Sequence, residues 1–206
     1  SWSYSKGYGH FLKYPFAAVA LFLYPALSLA KKRALPNLAI AETDKPLPLA
    51  IFSHGLGGMR TTYSQICGNL ASRGLVVCAL EHADGSAAFT SRLNGTIEIP
   101  HQHPHKDNLD EGDNVEEGLL KFRTRQVNQR RDEIIEAVKI LKEINDANFE
   151  SLLPLDDLGK TVLGKFHKKI DFKEMALVGH SFGGATAIKV LDSVSATNFT
   201  WTDLTP

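Results

Sequence analysis

The chain has 206 residues, 43% of them hydrophobic, and its 23 basic and 23 acidic side chains give a formal net charge of zero. Such a length and composition are typical of one ordinary globular domain with enough apolar material for a core. The balanced charge argues against a protein that binds nucleic acid or another polyanion. Cys67 and Cys78 are too few for a disulfide framework or a cysteine-rich metal site, so neither a metal nor another cofactor is indicated.

The sequence leaves the compartment open. Reduced thiols are the default for two unpatterned cysteines, which slightly favours an intracellular protein. Two glycosylation sequons, at 94–96 and 198–200, matter only if the chain is secreted. The chain begins at Ser1 rather than at a methionine and stops at Pro206 shortly after a predicted helix, which indicates a fragment. A signal peptide would then lie outside the sequence.

Residues 1–48 are predicted to contain an apolar helix and a proline-bearing connecting loop. The segment Phe16–Leu29 carries no charge and runs into the basic residues 31–33. It is shorter than the ~20 apolar residues that a membrane span needs, and Pro25 interrupts it. Two interpretations stay open: a helix packed against the domain, or a helix that rests on a lipid surface with its basic end at the headgroups.

Residues 49–206 are predicted to form an α/β domain. The apolar run 49–53 predicts a strand, and 62–73 predicts a helix that a hydroxyl caps and Gly74 closes. A second strand is expected at 75–80. This strand, helix, strand order is a βαβ unit, which implies a parallel sheet.

The second half of the chain continues the alternation. Residues 119–147 predict a long helix. Its arginine, glutamine and glutamate side chains are expected in solvent. Its apolar stripe is expected to lie on the sheet and consists of Val127, Ile134, Val138 and Leu141. A short helix near Leu158, a central strand at 175–179 and a helix from residue 182 follow. The prediction is therefore a mostly parallel sheet flanked by helices.

One serine lies between glycines near the end of the chain. Gly179-His180-Ser181-Phe182-Gly183 has the spacing G-x-S-x-G. The pattern alone does not distinguish a catalytic serine from an ordinary turn. A strand before it and a helix after it provide the context of a nucleophile elbow, in which small residues allow a strained turn that lifts the hydroxyl clear of the sheet. We therefore predict that Ser181 is a catalytic nucleophile.

A glycine-rich loop, His54-Gly55-Leu56-Gly57-Gly58, follows the first predicted strand. Open α/β folds place their sites at the carboxyl ends of strands, and glycines let the backbone turn tightly and expose its N–H groups. Serine hydrolases of this architecture take one oxyanion-hole N–H from such a loop and another from the residue after the nucleophile. Leu56 and Phe182 are the predicted donors. A nucleotide loop is not favoured, because no Lys-Ser/Thr pair follows the glycines.

Two further polar clusters have both structural and functional interpretations. For Glu81-His82-Ala83-Asp84 a structural role is favoured, since neighbours in sequence need not face one another. Residues 85–118 lack periodicity and predict an excursion over the surface. Within it, several side chains could ligate a metal, namely His101, His103, His105, Asp107 and Asp110. Pro104 and the lack of a regular element to fix the imidazoles favour a solvated loop instead.

Several motifs together resemble the platelet-activating-factor acetylhydrolase family, which are serine-dependent phospholipases of the α/β-hydrolase fold. They follow one another in the family's order between residues 49 and 191, as Phe52–Ser64, Leu70–Gly74, Glu81-His82 and Gly179–Thr186. Residues 123–131 are similar, less distinctively, to the family's polar helix. The resemblance implies an α/β-hydrolase domain over residues 49–206 whose C-terminal part is missing.

The resemblance also implies an activity. Family members hydrolyse the short sn-2 acyl ester, such as acetyl, of platelet-activating factor and of oxidised phospholipids, without calcium. Ser181 would be the nucleophile, Leu56 and Phe182 the oxyanion donors, and the phospholipid substrate would be met at a membrane or lipoprotein surface. The segment Phe16–Leu29 lies where lipoprotein-associated members place an interfacial helix.

The sequence departs from the family in one respect. Catalytic residues of this fold follow the order Ser, Asp, His, but no histidine follows Ser181, and the later acids are Asp192 and Asp203. We therefore expect the base to lie beyond Pro206 and these 206 residues to be inactive by themselves. Two alternatives stay open: a truncated relative that binds lipid or a partner without turnover, and a broader lipase or carboxylesterase.

Overall fold

The computed structural model describes residues 2–15, 40–92, 97–104, 114–152 and 155–196, and the single positions 19, 21, 25, 29, 34 and 38. The described regular elements are, in chain order, α1 (Trp2–Leu12), β1 (Leu47–Ser53), α2 (Ser64–Ala71), β2 (Val76–Ala79), β3 (Phe89–Arg92), β4 (Ile97–Pro100), α3 (Val115–Asn145), a 3₁₀ turn (Phe149–Ser151), α4 (Asp157–Gly164), β5 (Ile170–Gly179) and α5 (Phe182–Ala196).

A parallel sheet organises the domain. Its described strands lie in the order β2-β1-β5, and both pairings are parallel. Ile51 of β1 is level with Cys78 on one side and with Leu177 on the other. The predicted βαβ unit is confirmed. Strand β5 begins earlier than the sequence indicated, and β1, not β5, is the central strand of the described sheet.

Helices cover both faces of this sheet, as predicted. Because side chains alternate along a strand, one face of β1 contributes to a core with α3 and α5, formed by Leu49, Ile51, Val76, Ile134, Val138, Ile170 and Val190. On the opposite face Phe52 packs against Tyr63, which precedes α2, with ring centroids 4.9 Å apart. This two-sided arrangement is that of the α/β-hydrolase fold.

Helix α2 is present but shorter than the predicted 62–73. It begins at Ser64, and no side chain caps it. The Thr62 hydroxyl accepts from the N–H of Met59 at 3.1 Å instead, so the expected cap is wrong. Ile66 of this helix is 49% exposed. Gly74 does close this segment, in the left-handed conformation at φ 89°.

Helix α3 corrects the predicted division between buried and solvated residues. Asn114 caps it by accepting from the N–H of Glu117 at 2.9 Å. Ile134 and Val138 are buried as predicted, whereas Val127 is only partly buried. Gln126 and Arg130 were assigned to the solvated face and are buried. Their spacing explains this, because Gln126 lies eight residues and Arg130 four residues before Ile134 on one helical stripe.

The described residues between 85 and 104 form regular structure that was not predicted. Strands β3 and β4 form an antiparallel pair, and Phe89 of β3 is buried with Met59, the residue after the glycine-rich loop. Helix α1, which the sequence analysis did not anticipate, packs on this pair. A Cβ at Gly7 would lie 3.2 Å from the Phe89 ring. Part of the supposed surface excursion is therefore a second small core.

Most of the apolar segment Phe16–Leu29 lies outside the described residues, so both interpretations of it stay predictions. Among the helices that the structure describes, none is long and apolar enough to cross a bilayer.

Candidate active site

Ser181 lies on a strained turn between β5 and α5. Its φ is 52°, in the left-handed region that side chains other than glycine rarely adopt. The flanking glycines make this turn possible. A Cβ at Gly179 would lie 2.6 Å from the nitrogen of Gly184, and one at Gly183 would lie 2.7 Å from the carbonyl carbon of Ser53. Ser181 is consequently presented at the surface, where it is exposed.

The turn and the glycine-rich loop are neighbours because β5 and β1 are paired strands. The N–H of His180 donates to the Ser53 carbonyl at 3.2 Å, which joins the elbow to the end of β1. Within the loop, Gly57 donates to the Ser86 carbonyl at 2.8 Å and Gly58 to the Gly55 carbonyl at 2.9 Å. These bonds fix the loop conformation on both sides of Leu56.

The two predicted oxyanion donors have N–H groups that are available. Within the described part of the chain, neither the Leu56 N–H nor the Phe182 N–H donates to a protein acceptor. Phe182 is the first residue of α5, where an N–H has no partner within the helix and the helix dipole favours negative charge. Both N–H groups are therefore free to donate to a ligand, and their role as oxyanion donors stays a prediction.

His180 is the imidazole nearest to Ser181 in sequence, and it is engaged elsewhere. Its Nδ1 lies 2.9 Å from the Tyr63 hydroxyl, which also accepts from the N–H of Gly55 at 3.3 Å. No side chain among the described residues hydrogen-bonds the Ser181 hydroxyl. A base for this serine is thus not found in the part of the chain that the structure describes.

A second serine has the partners that Ser181 lacks. His82 Nε2 lies 2.8 Å from Ser53 Oγ, and His82 Nδ1 lies 2.6 Å from Glu133 Oε2. These distances match a Ser-His-acid chain, but Ser53 is 2% exposed and His82 is fully buried. An ester has no access to such a hydroxyl. The bonds instead tie the end of β1 to α3, which agrees with the structural role predicted for His82.

His54 and Glu81 have strongly shifted pKa values. Burial, with Arg130 close by, lowers the pKa of His54 to about 3. His54 Nδ1 lies 2.9 Å from the Gly55 carbonyl and 3.3 Å from Arg130 Nη2, and the N–H of His82 points at His54 Nε2 from 3.4 Å. Burial raises the pKa of Glu81 to about 7, although the nearby Arg60 opposes this. His54 is therefore neutral near pH 7, and the Glu81 carboxyl keeps its proton to a higher pH than a free glutamate does.

Arg130 is the site residue that sequence reasoning missed. Its side chain is fully buried, and its Nε donates to Asp84 Oδ2 at 2.8 Å, an ion pair in which both side chains are 0% exposed. Nη1 donates to the carbonyl of His54 at 2.7 Å. The signal that could have revealed it is its place on the same helical stripe as Ile134 and Val138. Asp84, predicted to be structural, is its counterion.

The predicted alternative of a metal site receives no support from the described histidines. His101 is buried rather than solvated, and its Nδ1 lies 3.0 Å from the Ala87 carbonyl. Its ring packs edge-on against His103 with centroids 4.6 Å apart. No group of three possible metal ligands occurs among the described residues. His105, Asp107 and Asp110 lie outside them.

Exchanging Gly183 for alanine should destabilise the fold, because its methyl group would overlap the Ser53 carbonyl. We expect Gly183→Ala to lower the free energy of unfolding by about 1–3 kcal/mol or more. Gly184→Ala is the matched control, since a Cβ there meets its nearest neighbour at 3.8 Å. Urea unfolding measures both. Equal stabilities for the two variants would contradict the close approach of α5 to β1.

The raised pKa of Glu81 predicts a pH-dependent stability. The native carboxyl holds its proton more tightly than the unfolded chain does, so its contribution is full below about pH 4.5 and is lost as pH rises through about 7. Glu81→Gln cannot titrate. The unfolding free energy of the wild type minus that of the variant should therefore fall by on the order of 1–3 kcal/mol between pH 4.5 and pH 8.

Urea unfolding of both proteins at the two pH values measures this difference. His54 acts in the opposite sense, because its lowered pKa means that stability is lost as pH falls below 6.5, the ordinary pKa of histidine. Since His54 is present in both proteins, its contribution cancels in the difference. Glu174→Gln, at an exposed position of β5, controls for the loss of one carboxylate. A difference that stays constant across the range would show that Glu81 is not a buried, neutral acid.

Comparison with known proteins identifies relatives. The sequence profile of a family described as "Platelet-activating factor acetylhydrolase, isoform II" matches residues 1–201. Proteins named "Platelet-activating factor acetylhydrolase" from Canis lupus familiaris and Bos taurus are 36% and 37% identical over 154 residues, which cover 73% of this chain and 33% of each relative. A "Putative phospholipase A2" from Schizosaccharomyces pombe is 33% identical over 149 residues, which cover 68% of this chain and 34% of the relative.

Among solved structures, a ferulic acid esterase from Streptomyces cinnamoneus matches 73% of this chain and 34% of its own, with a TM-score of 0.44 and 20% identity. The chain spans about a third of the length of the curated relatives it matches. The family match extends over nearly all of its residues. The chain belongs to the platelet-activating factor acetylhydrolase, isoform II, family.

Proposed function

We propose that this chain carries the nucleophile and the oxyanion hole of a serine esterase that removes the short sn-2 acyl group from platelet-activating factor and related phospholipids. Family membership supports a lipid esterase. The observation that carries the proposal is Ser181 itself: an exposed serine held at φ 52° between a strand and a helix. A non-glycine residue in that conformation is strained, and such strain is concentrated at functional sites.

The proposed chemistry follows from the position of Ser181. Its Oγ attacks the acyl carbon of the ester while a base takes the hydroxyl proton, because a serine hydroxyl is a weak nucleophile at neutral pH. The carbonyl oxygen becomes an oxyanion, which the N–H groups of Leu56 and Phe182 stabilise. Each such donor typically contributes about 2.7–4 kcal/mol to lowering the barrier.

The remaining steps return the enzyme to its starting state. The tetrahedral intermediate collapses, the lysophospholipid leaves with the proton from the base, and the acyl group stays on Ser181 Oγ. Water then attacks the acyl-enzyme, and a short carboxylic acid departs. Since the relatives are more than twice as long as this chain, we assign the base and its orienting carboxylate to a segment of the whole protein outside these residues.

Ser53 is the competing candidate, and its burial argues against it. The Ser53-His82-Glu133 chain has a base in place, but the hydroxyl points into the interior between β1 and α3. A nucleophile must reach within about 3–3.5 Å of the acyl carbon. With an exposure of 2%, Ser53 cannot do so without opening the sheet.

The proposal limits the substrates to phospholipids with a short sn-2 acyl group, whereas the main alternative admits other esters. A broader lipase or carboxylesterase would use the same two loops. One relative is named as a putative phospholipase A2 and not as a platelet-activating factor acetylhydrolase, so the names of the relatives do not fix one substrate. A relative that binds lipid without turnover would keep the fold while its serine stayed unreactive. Comparing acetyl with long-chain sn-2 phospholipids separates the first alternative, and any Ser181-dependent turnover excludes the second.

Replacement of the two serines gives a direct test. In the full-length protein, Ser181→Ala should reduce acetate release from platelet-activating factor to background, a loss of at least about 10³-fold. Ser53→Ala should keep most of the activity and lose about 1 kcal/mol of stability with its hydrogen bond. The assay measures released acetate at saturating substrate. Undiminished release by Ser181→Ala, or abolished release by a folded Ser53→Ala protein, would reject the assignment.

A further inference from the structure

The buried Arg130 side chain contacts both loops that flank the candidate oxyanion hole. Its Nη1 donates to the carbonyl of His54 at 2.7 Å, two residues before Leu56. Its guanidinium carbon lies 4.7 Å from the centroid of the Phe182 ring, a cation–π contact with the residue that follows the nucleophile. One rigid planar group on α3 thus connects the loop after β1 to the first residue of α5.

A second set of contacts fixes the guanidinium itself. Its Nε donates to Asp84 Oδ2 at 2.8 Å and lies 3.1 Å from Ser86 Oγ. Gln126, one turn earlier on α3, donates to the Asp84 carbonyl at 2.9 Å. Ser86 in turn accepts from the N–H of Gly57 at 2.8 Å through its backbone carbonyl. The contacts form a closed ring that runs from Arg130 through Asp84 and Ser86 into the glycine-rich loop and back through His54.

Stability alone does not account for this ion pair. Removing water from two charges costs several kcal/mol for each, and apolar side chains of similar volume often serve the fold equally well. Arginine differs from them in its planar fork of donors, which holds several acceptors at fixed angles. Here one fixed acceptor, the His54 carbonyl, lies in the loop that carries Leu56. The other candidate donor residue, Phe182, meets the guanidinium through its ring.

We propose that Arg130 is a positioning residue that sets the separation and direction of the Leu56 and Phe182 N–H groups; this inference rests on the proposed esterase function. The donors of an oxyanion hole must sit about 2.7–3.1 Å from the place that the oxyanion occupies. A displacement of about 1 Å in a catalytic group can cost about 100-fold in rate. Arg130 does not touch substrate, and its effect passes entirely through the two loops.

The test compares charge-matched variants of the full-length protein. Arg130→Met alone leaves Asp84 as an unpaired buried charge and can unfold the protein. The double variant Arg130→Met/Asp84→Asn removes both charges and keeps an acceptor for Ser86. Arg130→Lys keeps a charge but offers a point donor instead of a planar fork. Arg131→Met is the matched control, because Arg131 lies next along α3 and pairs with the exposed Asp132.

For the double variant, kcat toward platelet-activating factor should fall about 10- to 100-fold while KM stays within about twofold of the wild type. The kcat of Arg130→Lys should lie between that of the double variant and that of the wild type. The kcat of Arg131→Met should match the wild type. A second measurement separates stabilisation of the oxyanion from binding of the rest of the substrate. A trifluoromethyl ketone analogue, which forms a hemiketal anion on a serine, should bind more weakly by the same factor as kcat/KM, whereas an unreactive sn-2 ether analogue should bind unchanged.

Two results would overturn the inference while leaving the esterase function intact. One is a folded double variant whose kcat lies within about twofold of the wild type. The other is an equal loss of affinity for the ketone and for the ether, which would indicate a general disturbance of the pocket. A wild-type protein without Ser181-dependent turnover would instead reject the proposed function, and the inference with it. Circular dichroism and thermal unfolding establish that each variant is folded.

Discussion

The site depends on the close approach of the first turn of α5 to the end of β1. Gly183 lies against the Ser53 carbonyl so closely that no side chain fits between them. This contact places the helix N-terminus, with its available N–H groups, beside the glycine-rich loop. The left-handed φ of Ser181 is part of the same geometry, since the chain must reverse sharply to leave β5 and enter α5. The exposure of the serine hydroxyl follows from that turn.

Beneath these two loops the protein keeps a polar interior that is almost fully hydrogen-bonded. Arg130 and Asp84 balance each other's charge, and His82 links Ser53 to Glu133. Burial favours neutral His54, whose two ring nitrogens both face partners. Such networks are costly when one member is missing, because the remaining groups stay desolvated. The floor of the site is therefore well determined, and this suits the proposed role of the two loops, which is to hold backbone donors in fixed directions.

Sequence reasoning was most successful where local rules govern the chain. The strand, turn and helix around Ser181 and the βαβ unit through Gly74 follow from hydrophobic runs and glycine placement, and the structure confirms those elements. The order of strands in the sheet was harder to predict. Strand β5 was expected in the centre, where the structure has β1. The position of a strand depends on pairings between segments that are distant in sequence. The start of α2 was misplaced because Thr62 bonds the preceding turn instead of capping the helix.

The largest errors came from treating polarity as a sign of exposure. Gln126 and Arg130 were assigned to solvent although their spacing from Ile134 places them on the buried stripe of α3. His101 was assigned to a solvated loop, whereas it is buried and packs against the Phe11 ring of α1. In both cases the hydrogen-bond partner, Asp84 for Arg130 and the Ala87 carbonyl for His101, is distant in sequence. No local pattern therefore shows that the buried polar side chain has a partner. A polar residue on an apolar stripe is the sign that such a partner exists.

The central claim is that Ser181, and not the better-partnered Ser53, is the reactive serine of this protein. Mass-spectrometric mapping of the residue modified by a fluorophosphonate probe tests it most directly, because the probe reacts with activated serines and leaves a permanent phosphonyl group. In the full-length protein we expect a single adduct on the peptide that contains Ser181. An adduct on Ser53, or modification elsewhere with Ser181 left free, would contradict the account.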